Sequence, residues 1–384
     1  RNPLGGGSVK IGMIFSLITG VMFTFTITGR CVMTMIKKLT TYTAFALIAV
    51  SYVTATGISA AEHKWKMAAS WGGGPLMEIG AKAMAKKTKF LTDGRVDIRV
   101  FPSGQLSKGL EVRTAVAKGV AEAGHTWMGY DWGKDKTTVL FGGYAGSMDS
   151  ERMLHWIYEG GGLEMWQQYN EERFGVISLP CFTRTAEAFL HSRKAVKTLD
   201  DLKGLKFRTA GAWLEISKGL GAASVTMPGG EVYTSLERGA IDATEWGTLY
   251  ENQSVGFHKI AKYVIIPGIH QPTAPFELVI NKKAWGKLSD RDKKLVALAA
   301  KTVTFESWTR IGHEDAKALE FYKKQGNEII VLDASVQKKA KQLAISWARE
   351  QAKNNPWFDK VLKHQLAFEK LWSQATHYRN VISE

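Results

Sequence analysis

"HKWKMAASW" (residues 63–71) reads as a short strand, and the order of the elements after it decides the fold. "LMEIGAKAMAKKT" (76–88) has the spacing of an amphipathic helix, "RVDIRVF" (95–101) is strand-like, and "GLEVRTAVAKGVAEAG" (109–124) again carries apolar residues at three and four spacing. This βαβα order predicts a largely parallel sheet covered by helices. "GVISLPCF" (175–182), "GLKFRTA" (204–210) and "YVIIPGIHQ" (263–271) continue the strands, with "AWLEISKGLG" (212–221) and "GGEVYTSLERGA" (229–240) as helices between them.

Two stretches read as crossings between lobes: residues 180–186, and the proline-rich "PGIHQPTAPFELVIN" (267–281). Two crossings mean that one lobe is inserted in the other. Beyond Leu288 the pattern is strongly helical to the end. No repeat of 20 to 50 residues and no low-complexity segment is present.

The N-terminal part is read as targeting sequence. From Met35, Lys37 and Lys38 form a positive region, Ala44 to Val53 an apolar one, and Ser59, Ala60 and Ala61 offer small residues for cleavage after Ala60 or Ala61. Residues 35–61 are thus expected to be a secretory signal peptide. Residues 1–34, which hold another apolar run and begin with Arg1, are expected to be translated upstream sequence. An exported product is the consequence.

The formal charge of +15 includes five basic residues from those segments, Arg1, Lys10, Arg30, Lys37 and Lys38, and no acids, leaving +10. These charges are dispersed among acids on helical faces, with no arginine-rich arm or zinc-ligand spacing, which argues against nucleic-acid binding. Of two cysteines only Cys181 remains, so no internal disulfide forms and the fold rests on its core. Nucleophile elbows, phosphate loops and paired-histidine zinc motifs are absent. A two-lobe α/β protein without such machinery most often binds a solute in its cleft.

"GAIDATEW" (239–246) sharpens this. The preceding helix has an apolar stripe at Val232, Leu236 and Ala240 and ends at Gly239, which puts Glu245 just after a short strand, at the sheet rim where α/β proteins place ligands. A surface glutamate beside a core tryptophan is the plainer reading.

"LDDLKGLKFRTAG" (199–211), "GAASVTMPGGEVYTSLERGAIDATEW" (221–246), "GFHKIAKYVIIPGIHQP" (256–272) and "SWTRIGHEDA" (307–316) together resemble the DctP-like substrate-binding proteins of tripartite ATP-independent periplasmic (TRAP) transporters, in the branch that binds 2-oxo acids. The resemblance runs in order over nearly the whole exported chain. It implies a two-lobe α/β periplasmic solute-binding fold with a central ligand cleft and long C-terminal helices, receptor rather than enzyme activity, delivery of a small organic anion to integral membrane subunits, and no organic cofactor. The matching arginine is Arg208, expected to pair bidentately with the ligand carboxylate, a geometry lysine cannot supply. Glu245 and the backbone carbonyl of Trp246 are the implied holders of a cation, with the indole as cleft wall.

One departure stands out. Where the branch carries a glutamine, counting back from Arg208 gives Glu187. Glu187, Glu245, Arg208 and a ligand carboxylate then sum to two negative charges rather than the one that sodium cancels. This suits either a divalent ion such as calcium, with Glu187 joining Glu245 and Trp246 as its ligands, or a ligand that brings its own ammonium group. Trp71, Trp127, Tyr130 and His270 fall in the segments that line the pocket, and aromatic walls of this kind suit an apolar or aromatic tail behind the carboxylate.

The expected organisation is lobe I at 62–183 and 273–320, lobe II at 184–272 and 321–345, and C-terminal helices at 346–384. Those helices carry apolar residues beyond what two lobes need; the resemblance implies a homodimer formed by helix exchange, and a helix folded back on its own lobe fits the pattern equally. The alternatives to a 2-oxo or 2-hydroxy acid receptor are an amino-acid or sulfonate receptor and, in another class, an exported hydrolase or lyase using Glu187 and Glu245 as acid and base.

Overall fold

The computed structural model describes residues 61–227, 229–375 and 378. Residues 1–34 and the expected signal peptide, except Ala61, lie outside the described residues. Among the described residues no helix is long and apolar enough to cross a membrane.

The chain opens with β1 (His63–Ala69), then helix α1, whose first stretch Leu76–Lys82 is π-helical and whose second, Ala83–Leu91, is α-helical. There follow β2 (Val96–Phe101), α2 (Val112–Ala117), β3 (Ala123–Thr126), a 3-10 turn Met128–Asp131, and helices α3 (Thr138–Gly142), α4 (Ser150–Tyr158) and α5 (Gly162–Phe174). β3 falls inside the stretch that helical spacing assigned to the second helix. Gly119, at φ +79°, ends the helix early.

β4 (Val176–Arg184) leads across to β5 (Leu190–Ser192), β6 (Lys206–Arg208), α6 (Trp213–Ile216), β7 (Ala223–Val225), α7 (Gly229–Glu237), β8 (Ala243–Thr244), α8 (Leu249–Val255) and β9 (Tyr263–Ile266). β10 (Ala274–Asn281) returns, and α9 (Lys282–Gly286), α10 (Asp290–Lys324), β11 (Glu328–Val331), α11 (Ala334–Asn354) and α12 (Pro356–Gln374) complete the order.

The strands form two sheets, β2-β1-β3-β10-β4 and β11-β9-β5-β8-β6-β7, with the cleft between them. Both are mixed, which corrects the expectation of a largely parallel arrangement. β10 runs antiparallel to β3 and β4, and β5 antiparallel to β8 and β9. These are the strands next to the two crossings, at 185–189 and 267–273, so the antiparallel pairs mark where the chain changes sheet. A third crossing lies within α10, a continuous 35-residue helix. Its first half buries Val296, Ala299, Ala300 and Val303 in the core of the first sheet, and its last turns bury Ala318 and Tyr322 against Val264 of the second. The boundaries expected at 320 and 345 therefore fall inside α10 and α11.

On α7 the predicted stripe holds at Val232 and Leu236, both fully buried, but Ala240 lies beyond the helix end and is exposed, and Ile241 takes its place in the cluster. The C-terminal helices fold back on their own chain. Phe358, Val361 and Leu362 of α12 join a core with Leu140, Phe141 and Trp156 of α3 and α4. That packing employs within the chain part of the apolar residues that suggested helix exchange, while Leu366 and Leu371 remain exposed.

Candidate functional site

The site is built from strand ends. β6 and β8 are neighbouring parallel strands, with Arg208 opposite Thr244. Their C-terminal ends present Arg208 and Glu245 to the cleft, as open α/β sheets do with ligand-binding residues. Trp71 follows β1, Trp127 follows β3 and Tyr130 sits in the next 3-10 turn, so the first sheet offers the same kind of edge from the other side. Glu187 and His270 come from the β4–β5 and β9–β10 crossings. All eight residues singled out from sequence line one small cavity, together with Arg184, Ala210, Gln271 and Phe276.

Two guanidinium groups organise its floor. Arg208 donates from Nη1 to Glu245 Oε1 at 3.2 Å and to the Glu245 carbonyl at 3.3 Å, and lies over the Trp246 indole at 5.4 Å. The amide of Ala210 donates to the same Oε1 at 2.8 Å. Arg184 pairs through Nη2 with Glu187 Oε1 and through Nη1 with Glu251 Oε2 at 2.6 Å. Glu251 is also the capping-box residue of α8, accepting from the Thr248 amide at 3.0 Å. His270 Nε2 donates to Glu187 Oε2 at 2.9 Å and stands 3.8 Å from Glu245 Oε2.

Burial alone would push these carboxyls up. For Glu187 the charge of Arg184 and the His270 hydrogen bond outweigh burial and hold it below the ordinary carboxylate range. For Glu251 burial wins over Arg184 and the shift is upward. Burial also raises the Tyr130 phenol, against the opposing charges of Arg208 and Arg184, so Tyr130 remains a neutral donor.

The aromatic wall is fixed from behind. Trp71 donates its indole N–H to His125 Nδ1 at 2.8 Å, Trp127 donates to the Gly142 carbonyl at 2.8 Å, and the Trp127 and Tyr130 rings meet edge to face at 5.3 Å.

Two features of the site are visible only in the folded chain. Arg184 is a charged residue in an otherwise uncharged run, "PCFTRTA", followed three residues on by Glu187; a buried charge needs a partner, and that spacing is its one signal in the sequence. His270, a wall residue by its segment, stands instead between two carboxylates, and Glu187, Glu245 and His270 offer ligand atoms that all lie within 4.8 Å of one another. Glu245 Oε2 and the Trp246 carbonyl oxygen accept no hydrogen bond among the described residues. The donor set fits a cation.

The chain matches the model of the bacterial extracellular solute-binding protein family 7 (DctP) over residues 67–355. It belongs to this family. A family 7 relative, a monocarboxylate 2-oxoacid-binding periplasmic protein of Nostoc sp., is 31% identical over 311 residues, 80% of this chain and 84% of its own. A TRAP transporter solute-binding protein of Bordetella bronchiseptica, a mixed-occupancy dimer with copurified calcium and picolinate, superposes with a TM-score of 0.78 at 25% identity, covering 83% of this chain and 95% of the other. One from Pseudoalteromonas atlantica, with bound sodium and pyruvate, gives 0.77 at 28% identity over 82% and 96%. Family 7 proteins are solute receptors, which agrees with a cleft that gathers anion-binding groups.

Proposed function

We propose that this family 7 protein is the periplasmic receptor of a TRAP transporter, that it is not an enzyme, and that it carries a small 2-oxo or 2-hydroxy acid to the membrane subunits after export by the signal peptide at 35–61. The observation that carries this reading is the placement of Arg208 and Tyr130 in one buried cavity. Arg208 gives Nη1 to Glu245 and Nε to the Met227 carbonyl, so it would offer a carboxylate the donors of Nη2, and Tyr130 would add a further one. Trp71, Trp127 and Tyr130 wall the cavity, which suits a short aliphatic or an aromatic tail behind the carboxylate.

Glu245 Oε2, the Trp246 carbonyl and Glu187 Oε2 would hold the cation, whose charge would offset the carboxylates around the ligand. The amino-acid alternative would set its ammonium against the same carboxylates, and both oxygens of Glu187 are met by Arg184 and His270. The same two donors hold Glu187 ionised, which leaves the hydrolase reading without an acid.

In this reading lobe I comprises 62–183 and 273–320, lobe II 184–272 and 321–345, and the lobes close on the ligand. A homodimer belongs to it too, carried by Leu366 and Leu371, which remain exposed on α12. Calorimetry with pyruvate and longer 2-oxo acids tests the ligand class, and small-angle scattering with and without pyruvate tests closure. No binding of any 2-oxo acid would overturn the proposal; a monomeric mass in sedimentation would remove the dimer.

A further inference from the structure

We propose that the cation position of this chain is a mixed nitrogen and oxygen site, formed by Glu187 Oε2, Glu245 Oε2 and His270 Nε2, that prefers a divalent transition ion of the zinc type to calcium or sodium. The inference rests on the receptor reading above and concerns the ion rather than the organic solute.

The two carboxylates are held in the same way. Arg184 takes Oε1 of Glu187, while Arg208 and the Ala210 amide take Oε1 of Glu245. Each glutamate therefore has one oxygen fixed by a guanidinium and the other turned toward the same imidazole nitrogen, at 2.9 Å and 3.8 Å. Partners behind a ligand that fix its orientation are characteristic of metal centres. All three residues are almost fully buried, at 5%, 5% and 3% exposure.

Donor type then selects the ion. Calcium is satisfied by six to eight oxygens, and sodium is likewise a hard ion, whereas an imidazole nitrogen suits zinc and its neighbours. Charge points the same way. Glu187, Glu245 and Glu251 face Arg184 and Arg208. With all of them ionised and a ligand carboxylate present, the site is short of two positive charges, which a divalent ion supplies and sodium does not. Arg184 and Glu251 cancel one another, so the deficit read from the sequence is unchanged. An ion at Nε2 displaces the proton that this nitrogen donates to Glu187 and leaves the neutral ring protonated at Nδ1, which is buried and has no partner among the described residues. Lacking the usual outer hydrogen bond, the ring is a weaker ligand than one so supported, and affinity below that of a structural zinc site follows.

The test uses the chelator-stripped protein without organic ligand, titrated calorimetrically with zinc, calcium and sodium chlorides, with cobalt(II) as a spectroscopic probe. The expected result is one zinc per chain, bound at least tenfold more tightly than calcium, and visible cobalt bands that shift in His270→Gln, where the nitrogen ligand is lost. His270→Gln, which substitutes an oxygen donor, should lose at least tenfold for zinc and narrow or reverse the preference. Calcium bound as tightly as zinc by the wild type would overturn the proposal, as would zinc binding unaffected by His270→Gln, which would locate the ion on surface histidines. A thermal melt checks that the variant folds, and Glu245→Gln gives an independent loss of zinc if it does not. Pyruvate binding measured in parallel separates the two readings: intact pyruvate binding with no zinc preference defeats only the metal assignment, while no pyruvate binding under any ion defeats the receptor reading.

Discussion

Arg184 Nη1 reaches Glu251 Oε2 at 2.6 Å, tying the last residue of β4 to the capping residue of α8. The same guanidinium holds Glu187, so one side chain pairs with two buried carboxylates from two elements. Replacing Arg184 with Met should strand both charges and destabilise the protein by about 3–5 kcal/mol, the cost of breaking a buried pair. Urea denaturation measures this, and a loss below about 1 kcal/mol would show that water reaches the pair.

Arg208 offers a cleaner test of recognition. Arg208→Lys keeps the charge and loses the planar fork of donors, so affinity for a 2-oxo acid should fall about tenfold to a hundredfold, or about 1.5–3 kcal/mol. Equal affinity by calorimetry would place Arg208 outside the binding site.

Gly268 is needed for reasons of space. A Cβ there would run into the Glu187 carbonyl oxygen, and backbone cannot swing aside as a flexible side-chain end can. Gly268→Ala should therefore separate the two crossings and displace Glu187 from His270. The expected outcome is a loss of ligand affinity larger than the loss of thermal stability implies, read from calorimetry beside a melting curve.

Acid should weaken the fold through two histidines. Burial lowers His125 to about 4 and His191 to about 3. Trp71 donates to Nδ1 of His125 and Nε2 faces the Cys181 carbonyl, so the ring fits only as the neutral form, with its proton on Nε2. The unfolded chain binds these two protons near pH 6.5 and the folded chain does not. Their stabilisation is present above that pH and is lost as pH falls from about 6.5 toward 4, at about 1.4 kcal/mol per pH unit for each proton. Glu277, which burial raises to about 7, acts in the opposite sense between about 4.5 and 7 and offsets one of the two. Denaturation at about pH 7 and about pH 5 should show the net fall, and His191→Gln should flatten it. An unchanged slope in that variant would refute the assignment.

Much of this architecture is readable from residues alone, and the reasons differ by element. Strand and helix alternation points to an α/β protein because each element buries one face. The rim position of Glu245 follows from a short strand after Gly239, and the residues carried over by family resemblance meet in one cavity. The rest depends on contacts far apart in the chain. His270 and Glu187 are 83 residues apart, and only folding shows that the imidazole belongs to the carboxylates rather than to the wall. The antiparallel strands are hidden because local pattern carries no direction, and β3 because its run of four residues, "AGHT", is too short to display a period.

Helix α10 has a mechanical consequence. Near its middle, Ser307 is hydrogen-bonded to Thr183 of the first sheet, while Asp315 accepts from Thr185 at 2.8 Å and from the Tyr250 amide at 2.9 Å beside the second. If the lobes rotate on capture, as proposed, these anchors cannot both stay fixed to a straight rod, and the elastic strain collects between them, where Gly312 lies. Solute affinity then includes the stiffness of a helix that touches no solute. Gly312→Ala leaves ordinary contact with Thr185, 3.5 Å away, and should add about 0.5–1 kcal/mol of helix stability. Its affinity for pyruvate should nonetheless change, and an affinity equal to wild type would mean that the helix travels as a passive beam with one lobe.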